Sequence, residues 1–398
     1  MKKIVLLMVF AVVTFSILCV VTTSQADEKM GVTDNEVLIG GIGPITGPAS
    51  FLGIPIDLAG NLFFKQVNEA GGIHGRKIKF VMGDDACGAS QGLAIFKKLV
   101  SSDKVFAMAG VACSHVGEAI KPLVNKEEIP LIISVALSPK LLIPHSKYIF
   151  RLGPPSDFTG AIMAKFMREY FPDKFTKVAI IHTQEEYGTT GRDGILSELK
   201  KYGIQPLAVE THKIGDTDYS GQLLKIKPLN PEVLFLFNYQ RDMALITKQA
   251  YELGINCVKI GCFTDIGMLA DMVGKEALKN LYPSTMCVDT IKGPRLKSFV
   301  DMYKKELPDY MKNPNNPNTA DVTAYVGFMT MAEGLKRAGR DLTRTKFIDA
   351  LDSIDDMKTP WISQVTFSKT NHEGLRGQRF YRFVDLTPVI IERDFKME

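Results

Sequence analysis

The sequence predicts an α/β protein of two Rossmann-like lobes, each built on a parallel central sheet. Three observations carry that expectation. From Glu36 onward, short strand-type apolar runs alternate with longer runs of helical spacing, and strict alternation implies parallel strands covered by helices on both faces. The alternation restarts after Gly153-Pro154-Pro155, a short stiff segment that suits a hinge better than a flexible linker. Finally, 398 residues that are 45% hydrophobic and 23% charged have an ordinary globular composition and are enough for two domains.

The elements follow in order. Strands are expected at 37–43, 77–82, 105–111 and 129–134, with helices at 54–69 (Leu58, Leu62 and Val67 at helical spacing), 91–100 and 115–126 between them. The second series has an extended piece at 148–152 and strands at 177–182, 206–211, 233–237 and 258–261. Helices at 157–171, 191–202, 219–227, 241–253 and 266–273 complete it. The last third differs, with helices at 294–306, 320–338 and 343–352 around a Pro/Asn-rich loop at 313–318. Strands at 365–367, 379–384 and 388–392 follow Trp361. This block is short for a third domain and more economically finishes both lobes. The boundaries expected are 27–149 with 286–358 for the first lobe, and 150–285 with 359–398 for the second.

Residues 1–26 carry a separate signal. Lys2 and Lys3 precede an apolar stretch over 4–21 that only Thr14 and Ser16 interrupt, and Ser24-Gln25-Ala26 is a small-x-small site. That is the layout of a cleaved secretory signal, with an uncleaved anchor as the alternative. Leu18 before Cys19 does not fit a lipid-attachment site. An exported, periplasmic chain is therefore expected, in a compartment that permits disulfides. Of the six cysteines, Cys19 falls in the leader. The remaining five leave at least one free thiol, and their spacings do not fit paired metal knuckles, so no metal is expected. A net charge of +4 without a basic cluster gives no footprint for nucleic acid.

Catalytic patterns are missing. Gly40-Gly41-Ile42-Gly43-Pro44 opens like a dinucleotide loop, but Pro44 and Pro48 interrupt the run into a helix, so no cofactor is expected. The six histidines form no metal or triad motif. Asp84 and Asp85 are neighbours at a strand end, where side chains point to opposite faces, so a turn or cap suits them better than acid–base work. The chain reads as a binder rather than an enzyme. Its focal stretch is 110–118, where a strand runs into a helix start that favours anions, because the first N–H groups lack intrahelical acceptors and the helix dipole adds positive potential.

Several motifs in one order give a resemblance: Gly43-Pro44-Ile45-Thr46-Gly47, Asn68-Glu69-Ala70-Gly71-Gly72-Ile73-His74-Gly75, Asp84-Asp85-Ala86-Cys87, Ala112-Cys113-Ser114, Glu186-Tyr187-Gly188 and Asp218-Tyr219-Ser220. Over most of the mature chain the sequence resembles the periplasmic leucine/isoleucine/valine-binding proteins, the solute receptors of ABC importers. The resemblance implies the type I periplasmic binding fold, two lobes joined by a three-crossover hinge that close on a small ligand. It implies a monomer that delivers this ligand to an ABC permease complex in the inner membrane. A sensory receptor module signalling to a partner protein is the alternative function.

The resemblance also implies a Cys87–Cys113 disulfide, both residues being expected at the ends of neighbouring parallel strands; two buried free thiols are the alternative. It implies a ligand carboxylate held by Ser114 and backbone groups at two strand–helix junctions. Ala112 lies at the first, and Ala136 N–H and Ser138 lie at the second, Ser134-Val135-Ala136-Leu137-Ser138. Tyr187 and Tyr239 match aromatics that close over the ligand, and Leu52, beside Phe51, falls where relatives carry a tryptophan. One departure stands out. The acid that pairs the ligand's ammonium in relatives falls at Cys262 or Phe263, and neither is acidic. Either Asp265 or Asp242 substitutes, or the ligand has no amine and Phe263 packs on its tail, a core role being the alternative for Phe263. The ligand expected is a small carboxylate, an aliphatic amino acid or an amine-free aromatic or short-chain acid. His115, in the first helical turn, could meet a carboxylate and make affinity pH-dependent. Tyr219 is expected to cap a helix.

Overall fold

A computed structural model describes residues 28–398 except 263–268, 270–271, 356, 376, 385, 392–394 and 397–398. The expected signal segment, Phe263, Asp265, Glu392 and most of the helix at 266–273 lie outside the described residues.

The first sheet has five parallel strands in the order β2-β1-β3-β4-β5: β1 (Glu36–Gly43), β2 (Lys77–Asp84), β3 (Ala107–Gly110), β4 (Leu131–Ile133) and β5 (Ile149–Arg151). Every residue of β3, β4 and β5 is buried, because helices cover both faces. Helices α1 (Ser50–Glu69), α2 (Ala89–Lys97) and α3 (Ser114–Lys126) connect the strands. The extended piece expected to open the second series is β5, which pairs with β4, so the first sheet runs on to Arg151.

The second sheet follows the order β12-β11-β10-β9-β8-β6-β7. Its parallel part is β6 (Val178–Thr183), β7 (Ala208–His212), β8 (Val233–Phe237), β9 (Val258–Gly261) and β10 (Leu281–Thr285), with α4 (Ser156–Tyr170), α5 (Glu186–Lys201), α6 (Ser220–Ile226) and α7 (Gln240–Glu252) between them. β6 and β8 are buried throughout, whereas β7 alternates because it is an edge. β11 (Gly377–Val384) and β12 (Thr387–Ile390) extend the sheet antiparallel. β10 was not anticipated: Pro283 sits within it, and proline in a run argues against a strand because it has no N–H to donate. The strand expected at 365–367 is only an isolated pairing of Val365 with Met357.

Between β10 and β11 the chain returns to the first lobe as α8 (Lys297–Glu306), α9 (Thr319–Ala338) and α10 (Arg344–Asp352). Phe328 of α9 meets Phe64 and Phe80 edge-on at 5.3 and 5.1 Å, and the Arg344 guanidinium donates to the carbonyls of Val105 and Phe106. The chain thus passes between lobes three times. The first and third passes run side by side, Gly374 N–H donating to Arg151 O and Leu375 N–H to Leu152 O, both at 2.8 Å.

Cys87 and Cys113 form a disulfide with Cα atoms 5.7 Å apart. Their strands, β2 and β3, are not neighbours as expected: β1 lies between them, and the bridge spans its C-terminal end. Cys257, Cys262 and Cys287 are buried and form no disulfide among the described residues.

Candidate functional site

Where parallel strands end, helix N-termini gather, and ligands bind at such edges. Five helix starts meet one cavity between the lobes. α1 brings Phe51 and Leu52, α3 brings Ser114, α5 brings Tyr187, α7 brings Gln240 with Tyr239 before it, and α9 brings Thr319 with Asn318 before it. The space there, about 610 Å3 counting the part open to solvent, lies between the two lobes. No side chain caps the starts of α1, α3, α5 or α7, whereas α9 is closed by a capping box of Asn318 and Asp321.

The first-lobe wall starts from an unusual turn. After β3, Gly110 has φ +115° and Val111 has φ +57°, a left-handed conformation that a β-branched residue rarely adopts. Two backbone bonds hold it, Val111 N–H to Ile42 O at 2.8 Å and Ala136 N–H to Val111 O at 3.0 Å. The turn sends Ala112, Cys113 and Ser114 to the cleft. Ser114, 1% exposed, lines the cavity with Ala112 and Ala136. The Ala136 N–H is therefore already engaged with Val111. Ser138 is also committed: its N–H donates to Ser114 Oγ at 3.2 Å and its hydroxyl to Glu118, and it does not line the cavity.

Arg151 braces this wall from behind. Fully buried, its guanidinium donates to Ser138 O at 2.6 Å, Gly153 O at 3.1 Å and Glu373 Oε1 at 2.9 Å, tying the second junction to two of the chain crossings. Burial lowers its pKa to about 10. Asp84 acts as the expected turn clamp, accepting from the N–H groups of Ile45, Thr46 and Ala86 and from the Thr46 hydroxyl. Desolvation opposes its ionisation, but these bonds prevail and hold its carboxyl below the usual range. Asp85 is fully buried and accepts from Cys87 N–H; burial raises its pKa to about 6.

His115 turns away from the cavity. Its Nε2 donates to Cys87 O at 2.8 Å, and its Nδ1 lies 3.5 Å from Glu185 Oε2 across the cleft. The Glu185 contact outweighs burial and raises the imidazole pKa. Lys140 and Glu186, 2.7 Å apart, make a second cross-cleft pair. Cys87, His115 and Glu185 stand close together, but the sulfur of Cys87 is used in the disulfide and offers no thiolate to a cation.

The second-lobe wall is aromatic. The Tyr187 and Tyr239 rings stack at 5.1 Å, and Phe51 meets Tyr239 edge-on at 5.9 Å from the opposite lobe. The Tyr187 hydroxyl lies 3.0 Å from Cys262 Sγ. Burial pushes the Cys262 thiol up to about 12 and both phenols well above their usual range, so these groups stay neutral. Asp242 does not line the cavity; it accepts from the Tyr219 hydroxyl at 2.8 Å. Tyr219 stands before α6 without capping it through its side chain.

Leu52, Ala112, Ser114, Ala136, Tyr187 and Tyr239 therefore come together, while Ser138 and His115 stand behind or beside them. Sequence reasoning missed Asn238, Gln240 and Met286, and the edge supplied by Asn318, Thr319 and Thr323. The strand-to-helix signal that singled out Ser114 also covers Asn238; the α9 residues lay hidden at the end of the Pro/Asn loop. None of the described lining residues is charged.

Residues 36–386 match the family model described as periplasmic binding protein. The chain belongs to that family. A leucine-, isoleucine-, valine-, threonine- and alanine-binding protein of Pseudomonas aeruginosa is 27% identical over 314 residues, 75% of this chain and 77% of the relative. Among solved structures, a fatty acid ABC transporter substrate-binding protein from Thermomonospora curvata superposes with a TM-score of 0.82 at 21% identity, covering 93% of this chain and 95% of that one. An ABC transporter solute-binding protein from Rhodopseudomonas palustris BisB5, in complex with 3,4-dihydroxybenzoic acid, gives 0.78 at 22% identity over 92% and 97%. Like other periplasmic binding proteins, this one is a solute-binding protein of the ABC-transporter kind and not an enzyme.

Proposed function

We propose that this periplasmic binding protein is exported and, as a monomer, captures a small amine-free carboxylate for an ABC permease in the inner membrane. One observation carries the reading: four helix N-termini without side-chain caps, those of α1, α3, α5 and α7, face a cavity with no charged side chain among its described lining residues. Each helix start presents roughly half a positive charge, so the cavity favours an anion and has no matching feature for a cation. Two carboxylates behind the second-lobe wall already have partners, Glu185 with His115 and the Tyr239 hydroxyl and Asp242 with Tyr219. Burying an ammonium there without a counter-charge would cost several kcal/mol, on the order of the penalty for an unpaired buried ion. Rings from Phe51, Tyr187 and Tyr239 suit an aromatic or short apolar body.

In this reading Ser114 and the start of α3 take the carboxylate, with Ala112 and Ala136 shaping the wall. The second lobe then closes with Tyr187 and Tyr239, as a population shift driven by tighter binding to the closed state. A second reading, an aliphatic amino acid, is favoured by what the Pseudomonas relative binds; it would need an acid such as Asp265 beside the ligand amine. A thermal-shift panel decides. Benzoate-type and short-chain acids should raise the melting temperature of the mature protein, and stabilisation by leucine-type amino acids alone would overturn the amine-free ligand.

A further inference from the structure

Asn238 follows β8, is 1% exposed and forms part of the cavity wall. Its amide is locked from behind. His212 Nδ1 lies 2.9 Å from Lys213 O, and a carbonyl only accepts, so Nδ1 carries the proton of the neutral ring. His212 Nε2 is then an acceptor, and its 2.6 Å contact with Asn238 must be an N–H donated by the amide nitrogen. The orientation follows. Asn238 Nδ2 belongs to His212, and Oδ1 is left buried without a hydrogen-bond partner among the described residues. Tyr219, edge-on to His212 at 5.0 Å and bonded to Asp242, fixes the imidazole in turn. A buried amide oxygen without a partner carries a desolvation cost that a ligand donor would remove.

We propose that Asn238 is a specificity-determining residue whose Oδ1 accepts a hydrogen bond from a neutral donor on the ligand, making the preferred ligand an aromatic acid that also carries a ring hydroxyl. The inference rests on the proposed carboxylate reading and adds the group at the ligand's other end. A neutral amide oxygen suits a hydroxyl rather than an ammonium, which needs a full counter-charge. Phe51, Tyr187 and Tyr239 supply rings to hold the body between the two polar ends. A site built to bond a hydroxyl discriminates strongly against the analogue that lacks it, because its own acceptor is then left unpaired.

The test is calorimetric titration of the mature protein with benzoate, 3-hydroxybenzoate and 4-hydroxybenzoate. One hydroxy acid should bind at least about tenfold tighter than benzoate. Asn238→Leu should collapse that ratio to within about twofold, since the acceptor is gone. His212→Phe, which keeps the packing on Tyr219 but frees the amide to turn, should lower the ratio as well. The wild-type ratio and His212→Phe decide if Asn238→Leu does not fold. Equal binding of all three acids, or a ratio that survives in Asn238→Leu, overturns the role of Asn238 and leaves the carboxylate reading standing. Absence of binding by every carboxylate would overturn both.

Discussion

The two walls of the cleft are built by opposite means. The first-lobe wall is backbone and hydroxyl, braced from behind by the Cys87–Cys113 bridge, the Asp84 clamp and the buried Arg151. The second-lobe wall is ring and neutral amide, with Tyr187, Tyr239 and Asn238 on the rim of a parallel sheet. Recognition of charge by dipoles works only if the dipoles are already oriented, since a loose peptide group reorients and loses its advantage. Rings need less: contact over area tolerates the small rotations that closure demands. The tied wall is suited to catch the ligand and the aromatic wall to cover it.

The largest way to break this contrast is to remove the brace. Replacing Cys87 and Cys113 by serine opens a cross-link with a sequence separation of 26, which on the chain-entropy model lowers stability by about 3 kcal/mol. Urea denaturation of the oxidised protein and the double variant measures the loss directly. Equal midpoints would mean that the clamp and Arg151 hold the first wall without the bridge.

A smaller effect separates the walls at the ligand itself. Ser114→Ala removes a charge-assisted hydrogen bond and should weaken binding of the acid found in the panel by about 1–3 kcal/mol. Tyr239→Phe keeps the ring and removes a hydroxyl that bonds Glu185, so it should weaken binding by less, at most about 1 kcal/mol. Titration calorimetry on both variants ranks them. The reverse order would place recognition in the second lobe and contradict the division argued above.

The same contrast explains what could be read from the chain beforehand. Strands such as β8 and helix starts such as Ser114 declare themselves, because burial on both sheet faces forces continuous apolar runs and helices must begin where those runs end. β10 did not, since Pro283 breaks the expected pattern inside a genuine strand. The Cys87–Cys113 pairing came from resemblance, and the strand order that lets it bridge β1 has no local signal. Ser138 was expected at the ligand and stands behind the wall instead, because its hydroxyl meets Glu118, a partner twenty positions away in sequence. His115 was expected in the cleft; Glu185, which draws it sideways, belongs to the other lobe. Contacts between lobes depend on how the lobes meet, and no periodicity records that.

The smallest predicted effect concerns that last pair, one of two described places, with Lys140–Glu186, where charge crosses between the walls. The Glu185 contact raises the imidazole pKa above its usual 6.5, so on the proposed closure a state that makes this contact holds the proton more tightly than an open one that lacks it. By linkage, the stabilisation is fully present below the ordinary imidazole pKa and is lost as pH rises through the raised value. Affinity should therefore decline as pH rises above the ordinary imidazole pKa and through the raised value. Cys87 O, Asp85 and Glu118 also face His115, but all three belong to the first lobe and accompany it in both states. Asp85, with its pKa near 6, changes charge in the same range without distinguishing open from closed. The histidine side chain is 35% exposed, so solvent and salt screen the pair, and about 0.2–1 kcal/mol, or at most about fivefold in affinity, is the expected span. Glu185→Gln should flatten the pH profile while leaving the Asp85 titration in place. A wild-type profile already flat over that range, or a slope that persists in Glu185→Gln, would show that the His115–Glu185 pair adds no electrostatic latch between the two walls.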